Sequence, residues 1–206
     1  MDWKWIRRKL RRYVRKYRRQ ILAGVILIAA IAAIVLLSSE PEVPAGGDYE
    51  AFLNALAMRE SSDDYTKVNR YGYMGRYQMG ISALEDAGFR IENGGWSSLA
   101  HAYGIYDRED FLNCPEGQDA AVKAYHTRVC AYIRHYGLEQ YIGSTYCGVE
   151  VTRSGLLAAC HLVGIGGIMD GLKSGEPVRD GNNTPASEYM ELFAGFDISA
   201  VWEKTD

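Results

Sequence analysis

Seventeen consecutive apolar residues, Ile21–Leu37, follow a head of twenty residues that carries ten Lys or Arg against one acid, Asp2. At a rise of about 1.5 Å per residue, a helix of this length just reaches across a bilayer core of about 30 Å with help from its flanks. The basic head fixes orientation: the N-terminus stays in the cytoplasm and the rest is exported. A cleaved signal peptide is the competing reading. The apolar run is longer than a usual signal-peptide core and the basic head is long for one, so the sequence predicts an uncleaved anchor. Trp3, Trp5, Tyr13 and Tyr17 interleave with the charges, as in a helix lying on anionic lipid. A plain positive-inside flank accounts for the charges equally well.

Charge is segregated. The head has a net charge of 10 − 1 = +9, and the remaining residues hold 13 Lys or Arg against 25 Asp or Glu, 13 − 25 = −12. So acidic a body is a poor partner for nucleic acid, which needs cations against its phosphates. Residues 38–47 form a short Pro/Gly/Glu linker. Residues 48–206 are then the exported domain, single-pass and periplasmic or extracellular. Its four cysteines, Cys114, Cys130, Cys147 and Cys160, are an even count in an oxidising compartment and suggest two disulfides, with three pairings open. No C-x-x-C or H-x-x-x-H spacing points to zinc, and no cofactor is implied.

The exported domain reads as mainly α, with at most a small hairpin near Asn69–Gln78. Phe52, Leu53, Leu56, Ala57 and Met58 recur at helical spacing behind a cap at Asp48. Ile81 to Ala87 reads as a short helix with Ser82 and Glu85 as a capping box, stopped by Gly88. Trp96, in the Asn93–Trp96 turn, suits a sugar-stacking platform or the core about equally. Asp107 to Leu112 is a short helix. The longest soluble helix runs from about Gln118 to Tyr136, with Val122, Tyr125, Val129, Tyr132 or Ile133, and Tyr136 as its apolar stripe; His126 and His135 read as solvated. Thr152 opens a further helix that the Gly164–Gly167 segment breaks, and a short helix carries Ile168, Met169 and Leu172. A polar loop, residues 175–185, precedes a last short helix over Ala186 to Phe193.

Glu60 stands at the end of the first helix, where packed core meets solvent. A carboxyl there is partly desolvated and close to the negative end of the helix dipole, and both effects raise its pKa toward the range a general acid needs. The chain then returns through Tyr71, Gly72, Tyr73, Gly75, Tyr77 and Gly80, a tyrosine- and glycine-rich turn. Asp63 and Asp64 are the nearest candidates for a second carboxylate, but their Ser-Ser-Asp-Asp-Tyr setting turns them to water or to turn capping.

Glu60-Ser61, followed after 78 − 60 = 18 residues by Gly75-Arg-Tyr-Gln78, resembles the catalytic half of the lysozyme-like soluble lytic transglycosylases. Residues Ala159–Gly164 echo a later Ala-Ala-Tyr-Asn-Ala-Gly motif of that family, with His161 in place of tyrosine and Leu162 in place of asparagine. The resemblance covers about residues 48–195. It implies a lysozyme-like fold and cleavage of peptidoglycan between N-acetylmuramic acid and N-acetylglucosamine. Glu60 alone would serve as acid and then base, and the product would be a 1,6-anhydromuramic sugar. It places Ser61, Tyr77, Gln78, His161 and Gly164 around the substrate. Tyr146, just before the second motif, joins them by its position. The implied partners are peptidoglycan strands, the membrane through the N-terminal helix, and an envelope-spanning secretion or conjugation machine. The alternatives are a hydrolytic lysozyme of the same fold and a non-catalytic glycan-binding or assembly module.

Overall fold

The computed structural model describes Tyr17, residues 46–91 and residues 94–204. The rest of the basic head, the apolar run, linker residues 38–45 and Asn93 of the turn lie outside the described residues. The elements that follow all belong to one unit, residues 43–206, and it is mainly helical.

Helix α1 (Tyr49–Ser61) starts on Asp48, whose carboxylate accepts the Ala51 N–H at 2.9 Å. Phe52, Leu53, Leu56 and Ala57 are buried at the expected spacing, whereas Met58 is exposed. The helix stops without glycine. Ser62 (φ 61°) and Asp63 (φ 66°) both take the left-handed region, and their N–H groups close the last turn on Met58 and Ala57. Two such residues in a row are costly. The Arg76 Nε–H, donated to the Asp63 carboxylate at 2.6 Å, offsets part of that cost.

The returning turn is held from inside. Asn69 Oδ1 accepts the N–H groups of Tyr71 and Tyr73, and isolated bridges pair Val68 with Met74 and Met74 with Met79. The regular hairpin forms elsewhere, between β1 (Thr145–Tyr146) and β2 (Val149–Glu150), which pair antiparallel with Tyr146 opposite Val149. At Gly75 (φ 79°) a Cβ would stand 2.1 Å from Gln118 Oε1, so only glycine lets the turn settle on the long helix.

Three short helices follow: α2 (Ile81–Asp86), α3 (Ser98–Ala102) and α4 (Arg108–Leu112). The Ser82–Glu85 capping box is absent: α2 begins at Ile81 with Gly80 at the cap, which puts Ser82 inside the first turn. Trp96 is a core residue, 7% exposed, stacked on Phe111 at 5.2 Å.

Helix α5 (Pro115–His135) starts ahead of Gln118 because Pro115 suits the first turn. Val122, Tyr125, Val129 and Ile133 form its buried stripe, while Tyr136 is exposed. His135 is exposed, but His126 is fully buried, contrary to the solvated expectation. It stands four residues after Val122 and three before Val129, on that same stripe. A 3-10 turn (Leu138–Tyr141) and the hairpin lead to α6 (Arg153–Ser174), capped by Thr152. Gly164 (φ 75°, ψ 162°) interrupts α6 where the glycine-rich segment predicted a break. By length and composition α6 could cross a membrane, yet half of its apolar window is buried in this fold. Helices α7 (Ala186–Leu192) and α8 (Ser199–Trp202) finish the chain. Phe52 of α1 meets Phe193 and Phe196 at 5.3 and 5.7 Å, and this aromatic cluster fixes α7 beside α1.

The four cysteines are free thiols, at variance with two bridges. Cys114 and Cys130 lie 16 residues apart along α5, about 24 Å of helix, which precludes that pairing. Cys147 is exposed beside the hairpin turn, while Cys130 and Cys160 are fully buried.

Candidate active site

Glu60 lies in the last turn of α1 and opens into a polar cleft of about 260 Å³. The returning turn contributes Lys67, Asn69 and Gln78; α6 contributes Leu162; the 175–185 loop contributes Asp180, Asn182 and Thr184; α7 contributes Tyr189. The Glu60 side chain keeps a partly exposed face toward the cleft, but protein surrounds its carboxyl. Tyr189, 4% exposed, donates its O–H to Glu60 Oε1 at 2.7 Å. Tyr189 is itself anchored by Phe193, at 5.5 Å between rings. Arg59 pairs with Glu188 of α7 and lies over the Tyr189 ring.

These surroundings push Glu60 up to about 7. Burial is the largest cause. The Tyr189 hydrogen bond, Arg59 and Lys67 favour the carboxylate and oppose it; the charge of Asp180 adds to the rise. A carboxyl poised there can give and take a proton at one working pH.

The expected site residues divide into two groups. Glu60 and Gln78 do meet at the cleft. Gln78 (φ 46°) also ties its own turn, donating from Nε2 to Gly75 O at 2.9 Å and Lys67 O at 3.3 Å. Ser61, Tyr77, Tyr146, His161 and Gly164 are not among the lining residues. Ser61 is buried beneath, its Oγ bonded to Arg76 O at 2.7 Å and accepting the Asp64 N–H. Tyr77 is 1% exposed and donates its O–H to Asp119 at 2.9 Å, so it is no cleft wall. Tyr146 points elsewhere: its hydroxyl donates to Glu176 O at 2.7 Å and accepts the Val178 N–H at 3.0 Å, which braces the polar loop. Gly164 supplies the kink in α6, and the neighbouring Leu162 reaches the cleft instead. Asp63 is held by Arg76 and Asp64 by Thr66, and neither lines the cleft.

His161 belongs to a second polar system behind the cleft. Tyr49 OH meets His126 Nδ1 at 2.9 Å, His126 Nε2 meets His161 Nδ1 at 3.2 Å, and His161 Nε2 meets Tyr77 O at 2.9 Å. A carbonyl only accepts, so His161 Nε2 carries a proton and its Nδ1 accepts. His126 then donates from Nε2, and Tyr49 donates to its Nδ1. Every hydrogen bond in this chain is satisfied with both rings neutral. Burial pushes His161 down to about 4 and holds His126 well below the usual histidine range.

Sequence reasoning missed Tyr189, Lys67 and Asp180. Tyr189 comes from 129 residues beyond Glu60 and has no local mark. Asp180, in a run of turn-forming residues, reads only as a loop residue. Among the described residues no group of three or more His, Cys, Asp or Glu forms a metal-binding arrangement. Comparison with protein-family models, curated proteins and solved structures returned no match.

Proposed function

We propose that the exported domain is a peptidoglycan lytic transglycosylase of lysozyme-like architecture with Glu60 as its acid and base. The observation that carries this reading is a helix-end carboxyl raised to about 7 by burial in a polar cleft. Protonated Glu60 donates to the glycosidic oxygen that leaves N-acetylmuramic acid, and that bond breaks. The substrate's own acetamido oxygen takes up the positive charge at the sugar carbon. Glu60, now a carboxylate, removes the proton of the muramyl 6-hydroxyl. The 6-oxygen closes the 1,6-anhydro ring, and Glu60 regains its proton without water entering. Gln78 and the amide and hydroxyl groups of Asn69, Asn182 and Thr184 offer hydrogen bonds to sugar along the walls. In this reading Ile21–Leu37 anchors the domain outside the cytoplasmic membrane, within reach of the wall or of an envelope-spanning machine.

Digestion of purified peptidoglycan with the full-length chain tests the reading by product mass. Fragments ending in 1,6-anhydromuramic acid, lighter by one water than lysozyme fragments, are expected. Reducing muramic ends would establish hydrolysis instead. Glycan binding with no fragment released at any pH would leave a non-catalytic module.

A further inference from the structure

The 175–185 loop delivers a carboxylate into the cleft that the proposed proton cycle does not use. Asp180 is partly buried and lines the same cleft as Glu60. Its Oδ1 accepts the N–H groups of Asn182 at 3.0 Å and Thr184 at 2.7 Å, and its Oδ2 accepts the Asn182 amide at 3.3 Å. Three hydrogen bonds fill most of the roughly four acceptor positions of a carboxylate, so it is badly placed to take a proton from water or sugar. Its loop is also tethered across the cleft. Tyr71 donates its O–H to Gly181 O at 2.8 Å, and Arg70 Nη2 donates to Asn182 Oδ1 at 3.1 Å. The charge is therefore held in place from both walls.

We infer that Asp180 is a positioning residue of this site: a fixed negative charge that keeps Glu60 in its proton-bearing form. The other charged and titratable groups around Glu60 are few. Arg59 on its own helix is paired with Glu188 of α7, Lys67 donates from Nζ to the Glu60 backbone carbonyl at 3.4 Å, and Tyr189 donates to the carboxyl. Both cations and the tyrosine favour the carboxylate form. Glu188 is neutralised by Arg59, so Asp180 is the acidic group in the cleft lining that works against them. The inference rests on Glu60 being the proton-exchanging group proposed above.

The test reads Glu60 directly, by carboxyl carbon NMR of the full-length chain labelled at glutamate, with Glu60→Gln giving the assignment. Asp180→Asn keeps an oxygen for the Asn182 and Thr184 N–H groups, and Asp180→Ser offers a shorter acceptor. In both, the Glu60 midpoint is expected to fall below that of the wild type. Above pH 7 the cleavage rate then falls about tenfold for each unit of that fall, while the rate at pH 5 is unchanged. A midpoint that stays put in both folded variants overturns the inference. Unfolding of both variants also overturns it, because Asp180 would then be a structural residue of the loop. The midpoint needs no turnover to be measured. A shifted midpoint in a protein that never cleaves peptidoglycan would sink the proposed function and leave the charge coupling standing.

Discussion

Glu60 and the His126–His161 pair are both withdrawn from water, and each prefers its neutral form for that reason. What differs is how their neighbours are arranged. The histidine chain runs from a donor, Tyr49, to an acceptor, the Tyr77 carbonyl, with each ring nitrogen used once. A proton added anywhere would break a bond and bury a charge. Around Glu60 the neighbours conflict: Tyr189, Arg59 and Lys67 favour the anion, while burial and Asp180 disfavour it. Agreement among partners locks one proton arrangement. Disagreement leaves two of similar free energy, which an acid–base site requires.

The sharpest way to break this contrast is to cut the histidine chain. His126→Leu strands the Tyr49 hydroxyl and His161 Nδ1 in the core. At about 1–3 kcal/mol for each unsatisfied group, unfolding by urea should show a loss of about 2–6 kcal/mol. A loss below about 1 kcal/mol would mean that the chain is not the structural strut described here.

Replacing the conflicted group should act in the opposite sense. Glu60→Gln cannot cycle a proton, so cleavage should fall at least about a hundredfold while glycan binding persists. The same variant should be more stable than wild type at pH 8. Folding holds Glu60 near 7 against an ordinary value of 4.5, a mismatch of about 3 kcal/mol once the group must ionise. Equal stability of the two proteins at pH 8 would show that Glu60 ionises freely in the fold.

The pH profiles of stability separate the two systems. Glu60 is raised on folding, so its contribution is fully present below about 4.5 and is lost as pH rises through about 7. His161 is lowered on folding, so its contribution is present above about 6.5 and is lost as pH falls toward about 4. Urea midpoints of the wild type should decline on both sides, and Glu60→Gln should keep only the acid-side decline. The smallest effect belongs to Asp64, one of the two aspartates that follow Glu60 closely in sequence. Asp64 caps its own turn at Thr66 in solvent, so Asp64→Asn should keep cleavage within about twofold and stability within about 0.5 kcal/mol. A large loss of cleavage would return Asp64 to the site.

What the sequence made legible follows the range of the interactions. Asp48, Thr152 and Gly164 act within one turn of chain, and their roles as caps and break were readable from spacing alone. Glu60 was readable from its place at a helix end, and Gln78 from the Glu-Ser to Gly-x-x-Gln spacing of the resemblance. His126 was misread although its spacing to Val122 and Val129 puts it on the buried stripe; polarity outweighed position in that reading. Tyr77 and Trp96 were assigned to sugar contact or left open because an aromatic side chain serves a core and a cleft equally well, and only burial decides. Tyr189 and Asp180 reach Glu60 through the packing of α7 and the loop before it, which no local pattern encodes. Tyr146 preceded the second motif in sequence but faces the far side of the polar loop.

Gln118 carries a consequence for exchange kinetics. Its buried amide donates to Tyr65 O at 3.0 Å and Phe111 O at 2.8 Å, and its oxygen accepts the Arg76 N–H at 2.8 Å. The turn that walls the cleft is thereby tied to the first turn of α5, beside the Tyr77–Asp119 bond. In deuterated water the Arg76 amide should exchange as slowly as amides inside α5, although it lies in a loop. Gln118→Ala should speed that exchange by orders of magnitude, while amides at the far end of α5 keep their own rates.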